Sequence, residues 1–353
     1  MYSMAKITMQ DVARECGVSI STVSRVIRNR QSVDPNIRAK VRKAIRSLGY
    51  VGGYNERRTT DDPVSIALVV PNVANPFYGT LIAGIERATR TRGYALILRD
   101  SEESFEVETR NLEFIRRTHA KGVIFVSCSV EPSAVLEELV RERFPVVLLD
   151  RIPKIEGANI VTGDNVEGAY QAVKYLLRLG HRRIAYITGT RSSSTEHDRF
   201  VGYRKALESE DVPFDEGLVV NGEYNLERAY EAISTLCGES LCFTAIFSTN
   251  DLMAFGAKQA LEDHGFRVPE DVSIVGYDDI NFAHTIALTV VSQPVLDMAR
   301  SATTLLFDLI EGRHEEPQRI VHRPSLVIRN SCQRPSIGES PDQVHIHSQS
   351  IAH

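Results

Sequence analysis

Hydrophobic and polar positions follow two different rhythms along this chain. Over residues 6–50 (KITMQDVARECGVSISTVSRVIRNRQSVDPNIRAKVRKAIRSLGY), small and apolar side chains recur at helical spacing in short bursts. Val12, Ala13, Cys16, Val18, Val23, Val26 and Ile27 fall where a small core needs them, with Arg14, Ser21, Thr22, Ser24, Arg25 and Arg28 between. Three short helices are predicted. Thr8 caps the first, and Asp11 three residues on completes a capping box. Gly17 takes the tight turn and Ser19 caps the second helix. Asp34, Pro35 and Gly49 punctuate the third, in which Ile37, Val41, Ile45 and Leu48 keep helical spacing among Arg38, Lys40, Arg42, Lys43 and Arg46.

After Tyr50 the segment VGGYNERRTTDDP is polar and contains glycine, which marks residues 51–62 as a linker. From Pro63 the rhythm changes to near-continuous apolar runs: SIALVVP (65–71), YALILRD (94–100), GVIFVS (122–127) and PVVLLD (145–150). A second series follows: IAYITG (184–189), TAIFSTND (244–251) and VSIVGYDD (272–279). Amphipathic helical stretches such as FYGTLIAGIERATRTRG, NVEGAYQAVKYLLRLG and DLMAFGAKQALEDHG separate them. Apolar strands joined by helices predict parallel sheets covered on both faces. Residues 63–334 are too many for one compact sheet, so two α/β lobes with a cleft are expected. Lobe 1 is placed at about 63–161 and 293–320, and lobe 2 at about 162–290 and 321–334. Residues 335–353 are polar without a helical stripe, and are expected to form a disordered tail.

Charge changes the picture of the first 60 residues. They hold 12 Lys/Arg against 4 Asp/Glu, whereas the remainder holds 29 against 42. A strongly basic head thus sits on an acidic body, and local charge decides whether phosphates are attracted. Its second helix presents Ile20, Ser21, Thr22 and Arg25 outward near the N-terminus, the arrangement by which a helix-turn-helix reads a DNA groove. A basic protein-docking module is the plain alternative. It accounts for the helical stripe but not for the caps and the basic third helix together.

Composition excludes several other classes. A hydrophobic share of 42% and a charged share of 25% are ordinary for a globular chain. No stretch approaches the ~18 apolar residues of a membrane span, and no apolar signal region opens the chain, so a cytoplasmic protein with no membrane partner is expected. Cys16, Cys128, Cys237, Cys242 and Cys332 form no C-x-x-C pair, which predicts reduced thiols and no metal site. His345 and His347 are read as part of the polar tail. No cofactor is indicated.

Four segments carry a resemblance to the lactose-repressor/galactose-repressor (LacI-type) family of bacterial transcription regulators, over roughly residues 6 to 334. They are TMQDVARECGVSISTVSRVI at the head, GHRRIAYITG (180–189), TAIFSTNDLMAFGAKQALEDHGFRVPEDVSIVGYDD (244–279) and LTVVSQP (288–294). The resemblance implies a helix-turn-helix head, a hinge, and a core shaped like the type I periplasmic sugar-binding proteins. It further implies a homodimer on a near-palindromic DNA operator, acting as a repressor whose affinity a small effector alters. The effector would be sugar-like or purine-like. By position, Ile20, Ser21 and Arg25 match the family's major-groove readers, while Ser19, Thr22, Ser24 and Asn29 are expected on phosphates. The hinge departs from the family pattern, because Gly52, Gly53, Glu56 and Thr59 replace residues that include its minor-groove leucine. Leucine-type kinking of the operator is therefore not carried over, and Arg57 and Arg58 are expected on the minor groove or the backbone.

Ligands of parallel sheets bind beyond the C-terminal ends of the strands. Those loops offer Asn75, Phe77, Asp150, Arg199, Tyr224, Asn250, Asp278 and Gln293 as effector-binding residues, several of which match the family's contacts. Each has a structural alternative: Asn250 with Asp251, and Asp278 with Asp279, could cap the helices that follow. The same loops also offer Arg151, but it and Arg191 are set below the others, since an exposed arginine near a loop is usually only solvated. Two rival classes are disfavoured. A transport binding protein would carry a signal peptide and no basic head. An enzyme would show a nucleophile elbow, P-loop, H-E-x-x-H or Ser–Lys pattern, none of which occurs. His181, in GHRRI, is read as a helix-to-strand turn residue, and catalytic residues are not expected.

Overall fold

The computed structural model describes residues 8–27, 33–48, 64–238, 241–314 and 316–335. The chain divides between Asp62 and Pro63 into two compact units. Within the first lie helices α1 (Met9–Cys16), α2 (Ile20–Ile27) and α3 (Pro35–Leu48). The capping box is formed: Thr8 Oγ1 accepts the Asp11 N–H and Asp11 Oδ2 accepts the Thr8 N–H. Gly17 adopts the left-handed conformation (φ 59°) that ends α1. Ser19 Oγ accepts the Thr22 N–H, and Asp34 Oδ1 caps α3 through Asn36 and Ile37. Val12, Ala13, Cys16, Val23, Val26, Val41 and Ala44 form the small core, and Val33 joins them. Ile37 departs from its expected place. Val33 and Val41 fill that end of the core, and Ile37 stands 37% exposed. Gly49 and the linker 51–62 lie outside the described residues.

The second unit contains two six-stranded sheets. The first is built from β1 (Ser65–Val70), β2 (Ala95–Asp100), β3 (Val123–Phe125), β4 (Val146–Leu149) and β5 (Asn159–Gly163), with β11 (Arg319–His322) at its edge. All its pairings are parallel. Helices α4 (Pro76–Thr91), α5 (Phe105–Arg117), α6 (Ala134–Arg141) and α12 (Val295–Ile310) accompany it. The second sheet holds β6 (Ile184–Thr188), β7 (Val219–Asn221), β8 (Ala245–Ser248), β9 (Ser273–Asp278), β10 (Thr289–Ser292) and an antiparallel edge strand, β12 (Ser325–Val327). With it go α7 (Asn165–Leu179), α8 (Ser194–Glu208), α9 (Leu226–Cys237), α10 (Asp251–Asp263) and α11 (Asn281–Thr285).

Each sheet is buried on both faces, as near-continuous apolar strands require. Ile66, Leu68 and Val70 pack against α4 and α12, whereas Ala67, Val69 and Phe125 pack toward α5 and α6. The second sheet is covered by α7 and α8 on one face and α9 and α10 on the other. The apolar runs mark β1–β4, β6, β8 and β9. They do not mark β5, β7, β11 or β12, which are three to five residues long and only partly buried.

The chain passes between the sheets three times: from β5 into α7, from β10 into α12, and from β11 into β12. The crossings lie side by side. Asp164 N–H donates to His322 O at 2.8 Å, and a Cβ on Gly163 would lie only 2.8 Å from Gln293 Oε1. The five cysteines are free, and His181 is buried between Thr244 Oγ1 and Gln333 O, each 2.9 Å away. No described helix is long and apolar enough to cross a membrane.

Candidate functional site

The C-terminal ends of the two parallel sheets face one another, and their loops close over a common cavity. From the first sheet, the loop after β1 brings Asn75, the first turn of α4 brings Phe77 and Tyr78, and the end of β4 brings Asp150 and Arg151. From the second come Thr195 and Arg199 on α8, Tyr224 after β7, Asn250 after β8 and Asp278 at the end of β9. The enclosed space is only about 10 Å³, enough for no more than a water molecule. Two hydrogen bonds join the sheets at its rim: Ile152 N–H donates to Ser194 Oγ at 2.8 Å, and Ser192 Oγ donates to Cys128 O at 3.2 Å.

Arg199 is the centre of the polar network. Its Nε donates to Asn165 Oδ1 (2.9 Å), Nη1 to Thr249 O, and Nη2 stands 3.7 Å from Asp278 Oδ1. The guanidinium lies 3.8 Å from the centre of the Tyr277 ring. Asp278 Oδ1 also accepts Gln293 Nε2 at 2.9 Å. Burial pushes the Asp278 carboxyl up to about 6, although Arg199 pulls the other way. Burial raises Asp150 likewise, against Arg199 and Arg151. Tyr224 is pushed up to about 12, by burial and then by the Glu196 carboxylate.

Three buried polar atoms at the cleft have no hydrogen-bond partner: Asp150 Oδ1, Asn250 Nδ2 and Gln293 Oε1. Backbone conformation marks Asp150 again, and other residues at the strand ends with it. Asp150 (φ 62°), Tyr224 (φ 55°), Asp278 (φ 105°) and Asp279 (φ 65°) are all left-handed without being glycine. Such strain is retained where the surroundings over-determine a functional geometry.

The cavity gathers seven of the eight residues placed at strand ends by sequence. Gln293 is one step removed: it lines an adjoining, more open pocket of about 250 Å³ together with Phe77 and Asp278. Two residues do double duty. Asn75 Oδ1 caps α4 through the Phe77 N–H, and Asn250 Oδ1 caps α10 through the Met253 N–H. Asp278 and Asp279 do not cap α11, whose N-cap is Ile280 and carries no side-chain bond, and Asp279 instead pairs with Arg329 at 2.7 Å. Asp251 accepts the Ile280 N–H rather than capping its own helix.

Arg151, set lower because a loop arginine is usually solvated, belongs to the cavity wall. It is 4% exposed, bonded to Glu103 Oε2 at 2.7 Å, and lies over the Tyr224 ring. Tyr78, Thr195 and Glu196 are not among the residues that the sequence singles out. Glu196, on the first turn of α8, accepts the Gly189 N–H (2.6 Å), Thr249 Oγ1 (2.9 Å) and the Tyr186 hydroxyl. That first turn ends the loop after β6, a strand-end position, which is the signal that could have found it.

In the head, Ile20 (46% exposed), Ser21 and Arg25 form the outer face of α2, with Thr22 and Ser24 half-buried beside them. Ser19 Oγ lies 2.8 Å from both Ser21 Oγ and Thr22 Oγ1, so the exposed hydroxyls form one cluster at the helix N-terminus. Asn29, Arg57 and Arg58 lie outside the described residues.

Residues 8–52 match the model of bacterial regulatory proteins of the lacI family, and residues 173–332 match a periplasmic binding protein-like domain. The HTH-type transcriptional regulator DegA of Bacillus subtilis (strain 168) is 34% identical over 331 residues, covering 92% of this chain and 98% of DegA. The chain belongs to the LacI family. The HTH-type transcriptional repressor PurR of Yersinia pestis (strain Pestoides F) is 33% identical over 329 residues, 92% of this chain and 96% of PurR. Among solved structures, the transcriptional regulator CelR in complex with cellobiose superposes with a TM-score of 0.70 at 34% identity, covering 92% of this chain and 99% of CelR. This LacI-family chain is accordingly a DNA-binding transcriptional regulator with an effector-binding core, and not an enzyme. Its helical head and two-lobed, mostly parallel α/β core are those of the family.

Proposed function

We propose that the chain is a cytoplasmic repressor that binds a near-palindromic operator as a homodimer and loses or gains affinity when a small effector fills the interlobe cleft. Arg25 addresses a guanine bidentately, Ser21 bonds a neighbouring base edge and Ile20 contacts a thymine methyl. Ser19, Thr22, Ser24 and Asn29 bond phosphates, and Arg57 and Arg58 bind the minor groove or the backbone. Asp150, Arg199, Asn250, Asp278 and Gln293 bond the effector's polar groups, with Asn75 at the wall and Phe77 and Tyr224 against its apolar face.

The observation that carries this reading is the set of unpartnered buried atoms, Asp150 Oδ1, Asn250 Nδ2 and Gln293 Oε1, converging from both lobes. A buried polar group left unpaired costs about 1–3 kcal/mol, so a ligand that pairs them favours a lobe arrangement opened far enough to admit it. A carbohydrate satisfies them best, and CelR is a relative seen with cellobiose. A purine base is the second reading, favoured by the Tyr224 and Phe77 rings.

The test uses full-length protein and a duplex it selects from a random pool. Cellobiose, glucose, ribose or hypoxanthine should raise its unfolding temperature and change its affinity for the selected duplex. Asp278→Ala should lose that response and still select the same duplex. Unchanged ligand affinity in the variant would remove the cleft from the mechanism.

A further inference from the structure

We infer that the Glu103–Arg151 pair makes the cleft select uncharged, hydroxyl-rich ligands over their phosphorylated or carboxylated counterparts. The inference rests on reading the cleft as the effector site. Arg151 enters the cavity wall from the end of β4, and an open guanidinium there would be a natural anchor for phosphate or carboxylate. It is not open. Its Nη1 donates to Glu103 Oε2 at 2.7 Å, and its guanidinium lies between two aromatic rings, 4.7 Å from the Tyr224 centroid and 5.9 Å from that of Tyr78.

Glu103 reaches this position from the loop after β2 through an unusual backbone. Glu102 (φ 52°) and Glu103 (φ 54°) are consecutive left-handed residues, neither a glycine. Bonds from Glu103 N–H to Pro71 O (2.7 Å) and from Glu102 N–H to Asp100 Oδ1 (3.0 Å) hold them there. Strain kept in place to deliver one carboxylate to one buried cation points to a use for that carboxylate.

The second cation is answered as well. Arg199 spends its donors on Asn165, Thr249 and Asp278 and lies over Tyr277. What remains unanswered in the cleft is mostly acceptor: Asp150 Oδ1 and Gln293 Oε1 accept, and only Asn250 Nδ2 donates. A ligand that enters must therefore bring donors, which hydroxyls supply. A phosphate or carboxylate brings acceptors only. It would also meet Asp150 and Asp278 across a cavity whose own positive charge is already neutralised, in surroundings that screen charge poorly.

Full-length protein should be titrated by calorimetry with glucose, ribose and cellobiose, and with glucose 6-phosphate, ribose 5-phosphate and glucuronate. An uncharged sugar should bind at least tenfold more tightly than its charged counterpart. Glu103→Gln, which frees the Arg151 guanidinium, should shrink that ratio at least tenfold, chiefly by admitting the charged ligand. The unfolding temperature of each unliganded protein checks that the variant is folded, and the wild-type ratio stands without it. A charged sugar bound by the wild type as tightly as its parent would overturn the inference while leaving the effector site in place. So would a folded Glu103→Gln protein with an unaltered ratio. If none of the six ligands bound either protein, the carbohydrate reading of the cleft and the selectivity would fall together. If Asp278→Ala bound every sugar as the wild type does, the cleft itself would be the wrong site.

Discussion

At Asp278 two opposing effects meet. Burial disfavours the carboxylate, Arg199 and Gln293 favour it, and burial prevails, so the group titrates near pH 6 instead of 3.8. The folded chain therefore holds a proton between those values that the unfolded chain has released. The stability due to this group is present below pH 3.8 and is lost as the pH rises through 6. For wild-type protein the loss between pH 5 and pH 7.5 amounts to about 1–2 kcal/mol. Asp278→Asn cannot ionise, so urea unfolding at the two pH values should show that fall absent from the variant. The ligand follows the opposite sense. A hydroxyl that donates to ionised Asp278 should bind more weakly as the pH drops below 6, which calorimetry at pH 5 and 7.5 measures. Arg151 shows what a residue-by-residue reading misses. An arginine after a strand end looks solvated in sequence, and only Glu103, 48 residues earlier, and Tyr224, from the other lobe, make it part of the wall.

Turns and helix starts set the site more than the strands do. Gly189, at the end of β6, leaves no space for a side chain, since a Cβ there would lie 2.1 Å from Tyr224 Cζ. Gly189→Ala should displace the Tyr224 ring and weaken effector binding at least tenfold, at a stability cost of about 1–3 kcal/mol. The chain has no tryptophan, so near-ultraviolet circular dichroism reports on tyrosines directly, and an unmoved spectrum with full ligand affinity would count against this account. What sequence made legible at this scale was local. Thr8, Ser19 and Asp34 cap helices within three residues of themselves, and the long apolar strands announce themselves by composition. The ends of those strands then point to Asp150, Asn250 and Asp278. The short strands depend on partners far along the chain, which no local pattern encodes.

For the whole molecule, charge is divided unevenly: 12 Lys/Arg against 4 Asp/Glu up to residue 60, and 29 against 42 beyond. DNA binding should accordingly weaken by roughly tenfold or more for each doubling of salt, as counterions return to the phosphates. Arg25→Ala should lower operator affinity by ~1–3 kcal/mol and relax sequence preference, with sugar binding by the core retained. Gel shifts across a salt series separate these effects. A flat salt dependence would contradict binding led by phosphates. The core adds a constraint of its own. Three chain segments cross between the lobes in a row, tied to one another at Asp164, His322, Gly163 and Gln293. A door hung on three hinges in line swings about one axis. Ligands of different size can then differ in how far they hold the lobes apart but not in the direction of the movement, so this regulator should answer its effectors in degree and not in kind.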